Sequence, residues 1–131
     1  MLVEFKTTCG DAISSTNSAL GEVVISTNYN SVSPFTTSST KSQLLNEEYA
    51  TSTKPSMSAI HAIECAPTQS PLTRLYTRGT STNAAATGAD LRLYDLGSLA
   101  VGTFGQQAAS ATLGELWITY EVILFKPRIN V

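Results

Sequence analysis

The 131-residue chain holds one histidine, two cysteines, ten acidic and eight basic residues, so any catalytic constellation must be drawn from a short list. His61 is the only imidazole. As a general base it would have to activate a serine or Cys65, with an acid to orient it. No G-x-S-x-G elbow accompanies it, and Ala59, Ile60, Ala62 and Ile63 flank it. Those neighbours suit a sheet histidine bonded to an adjacent side chain. Cys9 and Cys65 lie far apart, with no C-x-x-C. With one histidine they cannot complete the roughly four ligands of a structural zinc site. The expectation is two unjoined thiols, both buried as small hydrophobes.

The carboxylates are no more suggestive. Glu47 and Glu48 are neighbours that a helix would point to different sides, and Asp90 and Asp95 form a second pair. Glu115 and Glu121 share a strand face about 20 Å apart at roughly 3.3 Å per residue. That is too far for either two-carboxylate geometry of glycoside hydrolysis. Asp11, Asp90 and Asp95 could lend oxygens to calcium held between subunits, but no D-x-D-x-D-G loop is present. Gly97, Gly102 and Gly105 do not form a phosphate-binding pattern. Trp117, Tyr76 and Tyr94 could stack sugars, with Asp90 or Asp95 binding calcium or hydroxyls. This is the alternative reading, a carbohydrate-binding, lectin-like β-sandwich. For Trp117 the plainer expectation is burial under a loop or against another chain. No catalytic, cofactor-binding or metal-binding residue is assigned.

The elements follow from composition and alternation. Sixteen serines and 18 threonines make up roughly a quarter of the chain, which favours strands and loops over helices. Apolar content of 42% with a net charge of -2 excludes a disordered chain. No apolar run reaches the ~18 residues of a membrane helix, and no basic segment leading into an apolar one opens the chain. The basic residues, Lys6, Lys41, Lys54, Arg74, Arg78, Arg92, Lys126 and Arg128, are scattered and make no nucleic-acid patch.

Seven segments read as strands: 2–8, 21–29, 58–65, 72–77, 90–95, 98–104 and 115–125. Turn-rich stretches with Pro34, Pro55, Pro67 and Pro71 lie between them. The one helix expected spans 41–49, with Leu44, Leu45 and Tyr49 on one side. It is too short to stand without packing on a sheet. In the last strand Leu116, Ile118, Tyr120, Val122 and Leu124 form a core face. The opposite face, Glu115, Trp117, Thr119, Glu121, Ile123 and Phe125, is mixed. These elements predict one all-β domain over 1–131, an antiparallel sandwich or barrel.

The segment Gly114-Glu-Leu-Trp-Ile-Thr-Tyr-Glu-Val-Ile-Leu-Phe-Lys-Pro127 resembles the last strand of the jelly-roll shell domain in coat proteins of small icosahedral viruses. The group is the tombusvirus-like capsid family, including the capsids of circular single-stranded DNA viruses. Leu2 to Cys9, Gly21 to Asn30, Ala59 to Cys65 and Asp90 to Gly97 resemble further strands of that family, in the same order. The resemblance implies an eight-stranded jelly roll, strands B to I in two four-stranded sheets. The seven segments would be C to I, with one short helix.

Strand B would be missing, as would the basic amino-terminal arm that neutralises the genome, since Met1 stands directly at a strand. The edge left by strand B would invite pairing with another chain. Implied with it are a structural coat subunit rather than an enzyme, self-assembly into an icosahedral virion shell, and no resident cofactor. Its partners would be other copies of itself and the viral genome, mainly through the missing basic arm, with a host receptor on outer loops and no membrane. The mixed face with Trp117 and Phe125 is where subunit interfaces, or packing under the arm, are expected.

Overall fold

Antiparallel pairing, not helix, organises the chain. The computed structural model describes residues 1–11, 20–33, 35–36, 38–78, 90–107 and 110–126. The loop expected over 79–89, the middle of the stretch 9–20, part of the loop 106–112, Pro34 and the terminating Pro127 lie outside the described residues. The elements are β1 (Leu2–Thr7), β2 (Glu22–Asn28), α1 (Lys41–Leu45), β3 (Thr51–Thr53), β4 (Ala59–Ala62), β5 (Ser98–Phe104) and β6 (Gly114–Thr119), with one 3₁₀ turn at Leu91–Leu93. They form two three-stranded sheets, ordered β4-β1-β6 and β3-β2-β5.

Period-two alternation sets the faces. In β1, Val3 and Phe5 are buried. Their cross-strand partners are His61 and Ala59 in β4, and Ile118 and Leu116 in β6. Val23, Ile25 and Tyr29 enter from the second sheet and, with Val3, Phe5 and Ile63, make the core, against which Leu96 and Leu113 pack. The Tyr29 hydroxyl is satisfied by the Glu64 backbone N–H at 2.8 Å, and burial pushes its pKa up.

β2 is buried on both faces, because α1 covers its outer side. Leu44 is buried, and Ser26 donates its hydroxyl to the Leu44 carbonyl at 2.8 Å. Thr40 and Gln43 close a capping box at the start of α1, which satisfies two otherwise orphaned N–H groups. Gly21 precedes β2 at φ +100, with its α-carbon so close to the Phe104 carbonyl that a β-carbon would stand 2.3 Å away. Only glycine meets both demands.

Several sequence expectations need correction. Residues 72–77 and 90–95 are not strands. Asp90 instead accepts the Arg92 N–H and caps a 3₁₀ turn; its side chain gives the backbone an alternative to the ladder. The 72–77 stretch follows Pro71 and makes one bond to this turn, from the Tyr76 N–H to the Leu93 carbonyl. β3, unanticipated, is Thr-Ser-Thr, with no apolar alternation to reveal it. The helix ends at Leu45, where Asn46 caps it, and not at Tyr49.

The last strand leaves the ladder at Thr119, opposite Leu2, and 120–125 run on without a partner strand among the described residues. Six strands are therefore described, three per sheet, against the eight expected. The assignment of seven segments to strands C to I fails with the loss of the fourth and fifth. Among the described residues each sheet has three strands where four were expected.

Candidate functional site

The lone histidine is a tie between the two sheets. His61 is fully buried. Its Nε2 lies 2.7 Å from the Thr27 hydroxyl on β2, and its Nδ1 lies 3.2 Å from the Thr51 hydroxyl on β3. Both ring nitrogens are thus engaged. Burial pushes its pKa below the ordinary 6.5, against a smaller opposing influence of the Tyr49 backbone. Among the described residues no nucleophilic side chain is bonded to it beyond these two hydroxyls.

The other candidates are held apart or occupied. Cys9 is half-buried and Cys65 exposed, so the expected burial of both thiols does not hold, and the two are not joined. The Cys9 thiol donates to the Thr112 carbonyl and the Cys65 thiol to the Ile63 carbonyl. Asp95 forms a two-bond ion pair with Arg78, both contacts at 2.7 Å. Asp90 is gripped by Arg92, which holds its carboxyl below the usual range and raises the guanidinium. Glu22 is likewise lowered by the Lys41 ammonium beside it.

Among the described residues no three acidic, histidine or cysteine side chains gather as a cation site. Tyr76 and Tyr94 do meet, ring centroids 5.9 Å apart, but the aspartates meant to serve them are committed to arginines. Trp117 is not buried under a loop. It lies half exposed on the outer face of its sheet, its indole N–H on Glu115 and the Lys6 ammonium 4.2 Å over its ring. Phe125 is exposed too, with the Arg74 guanidinium 4.6 Å from its ring centre.

The unusual surface lies at one flank of the sandwich. The sheet orders leave four outer strands. At one flank, β3 and β4 are short, three and four residues, and are joined through Thr51 and His61. Such brevity blunts an edge. At the other flank, β5 and β6 are seven and six residues long and, among the described residues, have no strand paired on their outer sides.

The register shows which side chains point between the sheets there. Leu99, Val101 and Thr103 sit beside the inward residues Thr27, Ile25 and Val23, and Leu116 and Ile118 sit beside Phe5 and Val3. These are core positions by alternation, yet Leu99 and Val101 are 37% and 40% exposed, and Leu116 and Ile118 are 46% and 52% exposed. Tyr120, Val122 and Leu124, beyond the end of the strand, are more exposed still. Between the two strands runs a groove of about 300 Å³, lined by Phe5, Val23, Val101, Thr103, Leu113 and Leu116 among others. Fully covering one such aliphatic side chain is worth about 1.5–3 kcal/mol.

The expected core face of the last strand is therefore the open face. Sequence reasoning looked to the mixed face with Trp117 and Phe125 for interfaces and did not single out the exposed Leu99 and Val101. The signal available was that two alternating strands, 98–104 and 115–125, carry inward apolar rows without an equal number of rows to cover them.

One comparison with known proteins is informative. The family model described as viral coat protein (S domain) matches residues 12–130. No significant similarity to a curated protein or to a solved structure accompanies it.

Proposed function

The chain belongs to the viral coat protein (S domain) family, the jelly-roll shell domain of icosahedral virus coat proteins, and we propose that it is a shell-building subunit whose work is done by contact with copies of itself. As a coat protein it is a structural protein of the virion. The finer reading is a single jelly-roll domain that self-assembles into a closed shell around the genome. In that reading the six described strands supply three of four in each sheet. The subunit performs no catalysis and holds no resident cofactor. Genome contact would fall to a basic arm, because the chain's own basic residues are dispersed.

The observation that carries this reading is the open flank. Two long strands expose inward apolar rows that a stable subunit has reason to cover, and exposed apolar edges are templates for pairing. Function then comes from complementary area repeated by symmetry, without any reactive group.

The test is location in particles. An antibody raised against the 131-residue chain should decorate closed particles of uniform diameter that protect nucleic acid from nuclease. The antigen should co-sediment with them. Antigen confined to the non-particulate fraction would overturn the proposal.

A further inference from the structure

The geometry points to a binding site for a neutral saccharide in the polar cleft between α1 and the chain that leads into it. The cleft holds about 390 Å³ and is lined by Asn28, Ser33, Phe35, Gln43, Asn46 and Glu47 among others. That volume lies within the roughly 300–1,000 Å³ of small-molecule sites.

Both walls are fixed by short-range bonds. The Asn28 side chain accepts the Asn30 N–H at 2.8 Å and donates to the Ser33 carbonyl at 2.9 Å. The Ser33 N–H returns to the Asn30 carbonyl. Further on, the Thr36 N–H donates to the Ser39 hydroxyl at 3.1 Å, and the Ser39 N–H to the Thr36 carbonyl at 3.0 Å. The other wall is α1 with its C-cap, seated on β2 by the buried Leu44 and the bond from the Ser26 hydroxyl. Gln43 stands three and four residues before Asn46 and Glu47, a spacing that puts all three on one side. Walls held before a ligand arrives lose less freedom when it binds.

The ligand class follows from which polar groups are spent and which are not. The Asn28 amide is used in the loop, and the Gln43 oxygen accepts the Thr40 N–H at 2.7 Å. The Gln43 amino group, the Ser33 hydroxyl, the Asn46 amide and the Glu47 carboxylate have no partner among the described residues. Gln43 can donate, Glu47 can accept, and Ser33 and Asn46 can do both. Neighbouring hydroxyls on a sugar ring each donate and accept, and need that mixture. The half-buried Phe35 ring adds apolar surface for the C–H face of a pyranose.

Charge excludes other ligands. Glu47 is the one charged side chain among the described residues of the lining, and Lys41 on the same helix is committed to Glu22. A phosphate, sulfate or carboxylate group finds no Arg or Lys in the cleft, and one carboxylate does not make a cation site. So open and polar a cleft gives an affinity on the order of 1 mM. Repetition over a shell would multiply it by avidity, but the cleft belongs to one chain and stands apart from the shell-subunit reading.

The experiment is amide NMR of the isotopically labelled 131-residue chain, titrated with the methyl glycosides of glucose, galactose, mannose and N-acetylglucosamine. Glucose 6-sulfate is the anionic comparison. At least one neutral glycoside should give saturable shifts at Asn28, Ser33, Phe35, Gln43, Asn46 and Glu47. Asn46→Ala and Glu47→Ala should each weaken binding about tenfold. Glu48→Ala, next in sequence but outside the lining, should leave it unchanged.

The same spectra report whether each variant folds. Where Asn46→Ala, at the helix cap, does not, Glu47→Ala decides; where neither does, the location of the wild-type shifts decides alone. No saturable shift with any of the four glycosides, shifts centred on Tyr76, Tyr94 or Trp117, tighter binding of the sulfated sugar, or binding indifferent to both variants would each overturn the assignment. Saccharide binding by a chain absent from particles would keep this site and remove the coat reading. Labelled particles whose subunit binds none of the four would do the reverse.

Discussion

A single buried imidazole in a protein with so few charges is a stability device with a pH signature. His61 is fully buried and bonded to hydroxyls on two strands of the facing sheet, Thr27 and Thr51. Burial lowers its pKa from 6.5, so the folded state holds it neutral where the unfolded chain already binds a proton. Stability is then full above pH 6.5 and falls as the pH drops from there towards the lowered folded value. The exposed carboxyls of Glu22 and Asp90 are also depressed, but their ordinary values are 4.5 and 3.8, and their influence begins at lower pH. Urea unfolding at pH 7.5 and pH 5.5 should therefore show a lower midpoint at the acid value. His61→Ala should abolish that difference and cost about 2–4 kcal/mol at neutral pH, by leaving a cavity and stranding two hydroxyls. A wild-type midpoint that does not move would show that the ring is free to charge in the fold.

At the scale of elements, the joints are small and specific. Gly21→Ala adds a β-carbon at φ +100 and 2.3 Å from the Phe104 carbonyl, and should destabilise by more than about 1 kcal/mol. Thr40→Ala removes one half of the capping box on α1 and should cost about 1 kcal/mol. Chemical denaturation of each variant checks both values. The strands that the sequence describes best are those that alternate over their whole length. β1, β2 and β5 match their expected spans within a residue or so, because Val3 and Phe5, or Val23 and Ile25, recur at period two. Asp90–Asp95 alternates only twice, a signal that a 3₁₀ turn with an aspartate cap satisfies equally. β3 is invisible because Thr-Ser-Thr earns its place by pairing with Val23, Val24 and Ile25, a tertiary effect that no local pattern encodes. The flank was half legible. The apolar row of the last strand was plain, but its exposure depends on which strands flank it, and sheet order is not written in alternation.

For the whole molecule, composition decides what kind of force joins copies. Charged residues are 14% of the chain and the net charge is -2, and the inward rows at the flank, Leu99 and Val101 with Leu116 and Ile118, carry no charge. Long-range repulsion between copies is weak, and its screening length is already about 8 Å at physiological salt. The contact between copies is therefore apolar area plus strand hydrogen bonds. Burial of apolar surface strengthens on warming from the cold and brings a negative heat-capacity change. Association measured by sedimentation should then tighten between about 5 and 25 °C and change little as sodium chloride rises through the range that dissolves ion-paired assemblies. Calcium should have no influence, since Asp90 and Asp95 are already bound to arginines. An assembly that falls apart in moderate salt, or one that forms only with calcium, would place the contact on the charged loops instead of the β5–β6 flank.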